Sequence, residues 1–113
     1  IGIDCGSYKT VLGCVKQRDI EIVLSDSSGK TSPTIAAFTA EERLIGDAAV
    51  NQMKRNFKNS LQFFQRFLGL NFDCKEQIDE EKKFITYPII ELENKKVGME
   101  VMCRGEKIVM TPE

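Results

Sequence analysis

The first third of the chain alternates short apolar runs with polar turns, a pattern typical of β-structure. Three of these runs predict strands in a meander, at residues 1–5, 10–16 and 20–24. A serine-rich polar loop follows at 25–33, and a further strand is predicted at 34–38.

The middle of the chain changes to helical spacing. Apolar residues three and four apart predict one helix from Asp47 to Arg55 and a second from Ser60 to Leu68. Asn59 is suited to cap the second helix and Gly69 to end it. The charged stretch from Cys74 to Lys83 predicts a third, short helix.

The last third returns to alternation. Its predicted strands span residues 89–93, 97–104 and 107–110. In the middle strand Met99, Val101 and Cys103 share one face, and Glu100, Met102 and Arg104 share the other. Strands and helices together predict a mixed α/β fold.

Composition restricts the possible functions. With 113 residues, 42% of them hydrophobic, the chain is long enough for one domain. Its 16 basic and 17 acidic side chains leave no global positive field, so nucleic acid is disfavoured as a partner. No apolar run approaches the roughly 18 residues that a membrane span needs.

Histidine is absent, which excludes Cys/His zinc sites and nucleophiles activated by imidazole. The four cysteines lack C-x-x-C spacing. Two disulfides are arithmetically possible in an extracellular protein, but the ordinary core-forming composition favours a reduced, intracellular one.

Both ends of the sequence predict a longer protein. The chain opens inside a strand, at Ile1-Gly2-Ile3, without a methionine. It stops at Thr111-Pro112-Glu113, a good start for a helix.

One turn carries candidate chemistry, Asp4-Cys5-Gly6-Ser7-Tyr8-Lys9, between two predicted strands. Glycine lets the backbone approach a ligand, successive amides can converge on phosphate oxygens, and an aspartate can hold Mg²⁺ through water. On local pattern alone an ordinary hairpin is the commoner interpretation. The turn is neither a Walker loop nor a dinucleotide fingerprint.

Several motifs along the chain resemble the seventy-kilodalton heat-shock chaperone family. They are Ile-Gly-Ile-Asp-x-Gly at 1–6, Gly-Lys-Thr-Ser-Pro at 29–33, Leu-Ile-Gly-Asp-Ala-Ala at 44–49, Asn59-Ser60, and Arg-Phe-Leu-Gly at 66–69. Residues 63–67 and 97–106 are similar to the larger heat-shock one-hundred-and-ten branch. The resemblance implies the first lobe of an actin-like (ribonuclease H-like) ATPase domain, a mixed sheet with flanking helices. It also implies a division into 1–38, with the phosphate turn, and 39–113, mostly a smaller outer subdomain.

The resemblance implies ATP or ADP with Mg²⁺ as cofactors. It places Asp4, Gly6, Ser7 and Tyr8 on a phosphate-binding turn, with Asp4 near the waters of the metal. Lys9 either adds charge beside the phosphates or points into solvent, and solvent is favoured. Thr31 matches a threonine that senses the γ-phosphate in relatives, although a threonine before Ser-Pro also suits a plain turn.

Gln65 departs from the family pattern. The resemblance implies a catalytic lysine here, which reaches the γ-phosphate and helps to position the attacking water. Glutamine brings no charge, so we expect weak hydrolysis. Alternatively the substitution is without consequence, because Arg66 or Lys9 supplies the charge.

Two functions follow from the resemblance. In the first, the parent protein is a cytoplasmic exchange and holding chaperone that releases ADP from a conventional heat-shock seventy partner and keeps unfolded client proteins soluble. In the second, it is a conventional ATP-hydrolysing chaperone. We expect these 113 residues alone to be inactive and, through unpaired strand edges, prone to self-association.

Overall fold

The computed structural model describes residues 1–113, and its amino-terminal part is a small antiparallel sheet. The strands of this sheet are β1 (Gly2–Cys5), β2 (Lys9–Lys16), β3 (Asp19–Ile22) and the two-residue β4 (Ser32–Pro33). Strand β2 is central, since β1, β3 and β4 all pair with it. The predicted meander is confirmed, and β4 is an addition to it.

A second sheet lies in the middle of the chain. Its strands are β5 (Ile35–Phe38), β6 (Arg43–Ile45) and β7 (Ser60–Gln62), in the order β6-β5-β7. The helix α1 (Gly46–Met53) packs against β5 and buries Ala49. The predicted strand at 34–38 and the helix from Asp47 are therefore confirmed, although α1 ends two residues early.

The predicted helix from Ser60 to Leu68 is wrong. Ser60 and Leu61 instead pair with β5, and 3₁₀ turns at Phe57–Asn59 and Phe64–Phe67 flank the short strand β7. Phe63 has a φ of 61°, in the left-handed region, which an α-helix does not tolerate. Tertiary strand pairing therefore overrides the helical spacing of the apolar residues.

Asn59 also has a different role from the predicted helix cap. Its side-chain amide donates to Asn56 Oδ1 at 2.8 Å, and its Oδ1 accepts from the Met102 N–H at 2.9 Å. The residue thus ties the segment before β7 to the carboxy-terminal part of the chain. Gly69, predicted to end a helix, has a φ of +73° and follows the second 3₁₀ turn.

The carboxy-terminal third agrees with prediction. A 3₁₀ turn at Phe72–Cys74 leads into α2 (Lys75–Lys82). A third antiparallel sheet follows, in the spatial order β10-β9-β8. A 3₁₀ turn at Glu93–Lys95 connects β8 to β9. Its strands are β8 (Ile89–Glu91), β9 (Val97–Cys103) and β10 (Glu106–Met110).

The main core lies between the second and third sheets. Its buried members are Phe38, Leu61, Tyr87, Met99 and Val101. Partly buried Cys103 packs against this cluster and Met102 is exposed, so the face of β9 that carries Met99, Val101 and Cys103 is the one that faces the core.

The first sheet has no buried residue, and Val15 and Ile20 are 74% and 80% exposed. Buried positions begin at Thr34, directly after this sheet. The division at residue 38 stays a prediction.

All four cysteines are free. Neither α1 nor α2 has the length and the apolar composition that a membrane-spanning helix needs.

Tyr87 is expected to make the folded chain less stable at alkaline pH. Its hydroxyl donates to the Gln62 carbonyl at 2.8 Å, and burial raises the pKa of the Tyr87 phenol above its usual range. The unfolded chain therefore loses this proton near pH 10, while the folded chain keeps it. Stability from Tyr87 is complete below about pH 10 and is lost as the pH rises further.

Urea titrations between pH 8 and 11 test this dependence. We expect the free energy of unfolding to fall above about pH 10, by up to about 1.4 kcal/mol per pH unit, and to fall less steeply in Tyr87→Phe. Tyr8→Phe removes an exposed phenol and should keep the slope of the original chain. Equal slopes in the original chain and Tyr87→Phe would contradict the prediction.

Candidate functional site

The candidate site is built on the tight connection between β1 and β2. Cys5 pairs with Thr10, and the Gly6 N–H donates to the Lys9 carbonyl at 3.1 Å. A Cβ added to Gly6 would lie 2.8 Å from that carbonyl oxygen. Glycine is therefore required by the close approach of the two backbones.

Two amides at the tip of this turn have no acceptor within the protein. The N–H groups of Ser7 and Tyr8 make no backbone or side-chain hydrogen bond. Both residues are exposed, and the Tyr8 side chain is not packed into the core. Adjacent unpaired amides at an exposed turn can donate to the oxygens of a phosphate group.

The carbonyls of the turn are held by residues distant in sequence. The Gly6 carbonyl accepts from Gln65 Nε2 at 3.3 Å, and the Tyr8 carbonyl accepts from the Thr34 N–H at 3.0 Å. The Thr34 hydroxyl also lies 2.8 Å from the Thr10 hydroxyl. The turn is therefore fastened to the body of the protein at two points.

Gln65 reaches this turn from the 3₁₀ turn after β7. Its Nε2 also lies 3.7 Å from Cys5 Sγ, whereas its Oε1 is buried without a partner in the chain. An unpaired buried acceptor costs about 1–3 kcal/mol. Buried polar atoms without a partner are uncommon in folded proteins.

The neighbouring cations are directed elsewhere. Arg66 donates from Nη2 to Glu81 Oε1 at 2.8 Å and from Nε to the other carboxylate oxygen, and it lies over the Phe84 ring. Hydrogen bonding and charge attraction by Glu81 raise the pKa of the Arg66 guanidinium. The Lys9 ammonium lies 6.0 Å from the centre of the Tyr8 ring, on an exposed side chain.

Thr31 lies to one side of this turn. The pairing of Thr10 with Ser32 puts Thr31 one residue farther from the turn, and its side chain is exposed. Of the predicted site residues, the structure brings Gln65 to Gly6 and leaves Thr31 at the margin.

Asp4 supplies a single exposed carboxylate on β1, opposite Val11. No group of three or more Cys, Asp or Glu side chains is placed to hold a metal ion directly. A single carboxylate such as Asp4 is compatible with a Mg²⁺ ion that keeps most of its waters.

Two contacts were missed by sequence reasoning. The sequence predicts only a strand at Thr34 and does not predict a contact of Cys5 with Gln65, yet both residues lie against the site. No local signal marks them, because their contacts arise from the β2–β4 pairing and from a residue 60 positions away.

Comparison with known proteins identifies the family. The model of the family described as "Hsp70 protein" matches residues 1–113. The chain belongs to the Hsp70 family. Its mixed α/β architecture is consistent with the amino-terminal lobe of the Hsp70 actin-like ATPase fold, as predicted from sequence.

Individual Hsp70-family relatives match nearly the whole chain. A heat shock protein homolog of Saccharomyces cerevisiae is 32% identical over 97% of the chain and 16% of its own length. Heat shock 70 kDa protein of Trichophyton rubrum is 34% identical, and Heat shock 70 kDa protein 2 of Paracoccidioides lutzii is 35% identical. Both match 100% of the chain and 17% of their own length. The chain thus spans about one sixth of these relatives.

Hsp70 ATPases bind ATP or ADP with Mg²⁺. The turn fits the phosphates of such a ligand, because Ser7 and Tyr8 offer free amides beside a glycine that has no room for a side chain. The side chain that contacts the Gly6 carbonyl is the uncharged Gln65.

Gly6→Ala tests the need for glycine in the turn. Because the new methyl group would overlap the Lys9 carbonyl, we expect the free energy of unfolding to fall by about 1–3 kcal/mol. Gly2→Ala is the matched control, with no atom within 4 Å of the added Cβ, and should change stability by less than about 0.5 kcal/mol. Urea denaturation measures both, and equal effects would refute the steric argument.

Proposed function

We propose that the protein containing this chain is an ATP-binding chaperone that hydrolyses ATP slowly. It acts as a nucleotide-exchange and holding partner of a conventional Hsp70 and of unfolded client proteins. The observation that supports this most is the uncharged Gln65 at the turn, with its side-chain amide hydrogen-bonded to the Gly6 carbonyl. Family membership supports the chaperone role itself.

In this proposal the turn binds the phosphates through its backbone. The amides of Ser7 and Tyr8 donate to phosphate oxygens, and Gly6 allows them to approach. Asp4 contacts Mg²⁺ through water, and the metal neutralises phosphate charge when it is bound. Lys9 and Thr31 have peripheral roles, since both side chains are exposed.

Slow hydrolysis follows from the charges near the turn. A transferring phosphoryl group is stabilised by cations aimed at its oxygens. Gln65 is neutral. Arg66 forms a salt bridge with Glu81, and the Lys9 ammonium lies over the exposed ring of Tyr8. The alternative, in which Arg66 or Lys9 supplies the charge of the family's catalytic lysine, therefore has little support in this geometry.

The second candidate is a conventional ATP-hydrolysing Hsp70. It is favoured by relatives named Heat shock 70 kDa protein, whose identities of 34% and 35% are close to the 32% for the Saccharomyces cerevisiae homolog. Overall sequence identity thus does not separate the exchange chaperone from the conventional ATP-hydrolysing Hsp70. Gln65 and the segments 63–67 and 97–106 favour the exchange and holding function.

The 113 residues alone are proposed to be inactive. They offer one phosphate turn and few contacts to offset the entropy lost when a nucleotide is captured, so calorimetry should detect no ATP binding. The outer edges of β1 and β3 are unpaired, which favours self-association. The four free cysteines are in keeping with the reducing cytoplasm that we propose as its location.

Single-turnover hydrolysis in the full-length protein tests the role of Gln65. We expect Gln65→Lys to raise the rate by a factor of about 100 to 1,000, because a cation is added beside the phosphates. Gln62→Lys, three residues earlier in β7, adds the same charge and should leave the rate unchanged. Fast and equal hydrolysis rates in the original protein and in Gln65→Lys would contradict the proposal.

Exchange activity separates the two candidates. A conventional Hsp70 is loaded with fluorescent ADP, and its release is followed with and without the full-length protein. We expect faster ADP release from the partner only if the protein is an exchange chaperone. An unchanged release rate, together with multiple-turnover hydrolysis by the protein itself, would favour the conventional enzyme.

A further inference from the structure

We propose that Gln65 is a positioning residue, which aims the Ser7 N–H by holding the Gly6 carbonyl. The inference rests on the phosphate turn of the proposed function and adds a role that is independent of hydrolysis. Its basis is the hydrogen bond of 3.3 Å from Gln65 Nε2 to the Gly6 oxygen.

The geometry of the peptide bond links the two groups. The Gly6 carbonyl and the Ser7 N–H belong to one planar unit, and no peptide bond in the chain is cis. In a trans peptide the C=O and the N–H point in opposite directions. Holding the carbonyl toward Gln65 therefore turns the Ser7 N–H away from the protein body, where it has no acceptor within the chain.

The backbone itself does not provide this restraint. The Gly6 N–H donates to the Lys9 carbonyl, but the reciprocal bond from the Lys9 N–H to the Gly6 carbonyl is absent. Without Gln65 the Gly6–Ser7 peptide has no bond that fixes its rotation. A side chain from outside the hairpin thus replaces the missing half of a backbone pair.

A second anchor acts at the other end of the turn. The Thr34 N–H holds the Tyr8 carbonyl at 3.0 Å, so the Tyr8–Lys9 peptide is also fixed. The peptide between Ser7 and Tyr8 then lies between two restrained neighbours. Both free amides are thereby held in place before any anion binds, which reduces the entropy lost on binding.

The chemistry of the amide decides which substitutes can do this. Nε2 is a donor, as the Gly6 carbonyl requires, and Oε1 is buried without a partner and adds nothing to the restraint. An ionised glutamate of the same shape has no donor and would place a second acceptor against the carbonyl. Lysine keeps a donor on a side chain of similar reach.

Backbone ¹⁵N relaxation on the 113-residue chain tests the positioning directly. In Gln65→Glu we expect the order parameters of the Ser7 and Tyr8 amides to fall from about 0.85 to below about 0.6. In Gln65→Lys they should stay near the original values, because a donor is retained. Gln62→Glu is the charge-matched control, and the β9 amides report whether each variant is folded.

Unchanged order at Ser7 and Tyr8 in a folded Gln65→Glu variant would overturn the inference, as would equal loss in Gln62→Glu. Gln65→Met, which lacks both donor and charge, guards against a purely electrostatic effect and should also loosen the turn. If the Ser7 and Tyr8 amides are as ordered in Gln65→Met as in the original chain, the hydrogen bond from Gln65 to the Gly6 carbonyl does not restrain the turn.

Nucleotide affinity in the full-length protein separates this inference from the proposed function. Gln65→Met should weaken ATP and ADP equally, by about tenfold, as expected for one lost restraint. A loosened turn with unchanged affinity for both nucleotides would support the positioning role and contradict the phosphate role of the turn. Loss of affinity for both nucleotides in a Gln65→Met protein whose Ser7 and Tyr8 amides stay as ordered as in the original would overturn the positioning role, because the restraint would then not come from the hydrogen bond.

Discussion

The burial of strand β5 is the constraint on which the rest of the structure depends. β5 pairs with β6 on one side and with β7 on the other, and α1 covers it. Its Phe38 joins Met99 and Val101 of β9 in the main core. Because β7 must pair with β5 to complete this core, the residues that follow β7 are carried to the turn between β1 and β2.

The site that results depends on backbone geometry more than on charge. Amides at Ser7 and Tyr8 are unpaired, while the carbonyls of the same turn are held by Gln65 and Thr34. Arg66, the nearest cation in sequence to Gln65, is occupied by Glu81. Such an arrangement suits the binding of phosphate oxygens and offers little electrostatic help to phosphoryl transfer. In the proposed function, binding therefore depends on the free amides of the turn, and slow hydrolysis depends on the uncharged Gln65.

The first sheet contrasts with the rest of the molecule. Its strands carry apolar residues such as Val15 and Ile20 that remain largely exposed, whereas the second and third sheets enclose the core between them. The turn lies at the end of this sheet, between β1 and β2. Its fixed position comes from contacts to Thr34 and Gln65, which belong to the well-packed remainder of the chain.

Alternating apolar residues by themselves determined most strands of this protein, because a period of two is a local property. The resemblance to the Hsp70 family also came from the sequence, through the combination of motifs at 1–6, 29–33, 44–49, 59–60 and 66–69. The segment 60–68 was decided only by the tertiary structure: its apolar spacing fits a helix, but pairing of Ser60 and Leu61 with β5 and the left-handed Phe63 exclude one. The contacts of Gln65 with Gly6 and of Thr34 with Tyr8 were likewise beyond local pattern. They join residues far apart in sequence, and strand pairing and core packing bring such residues together.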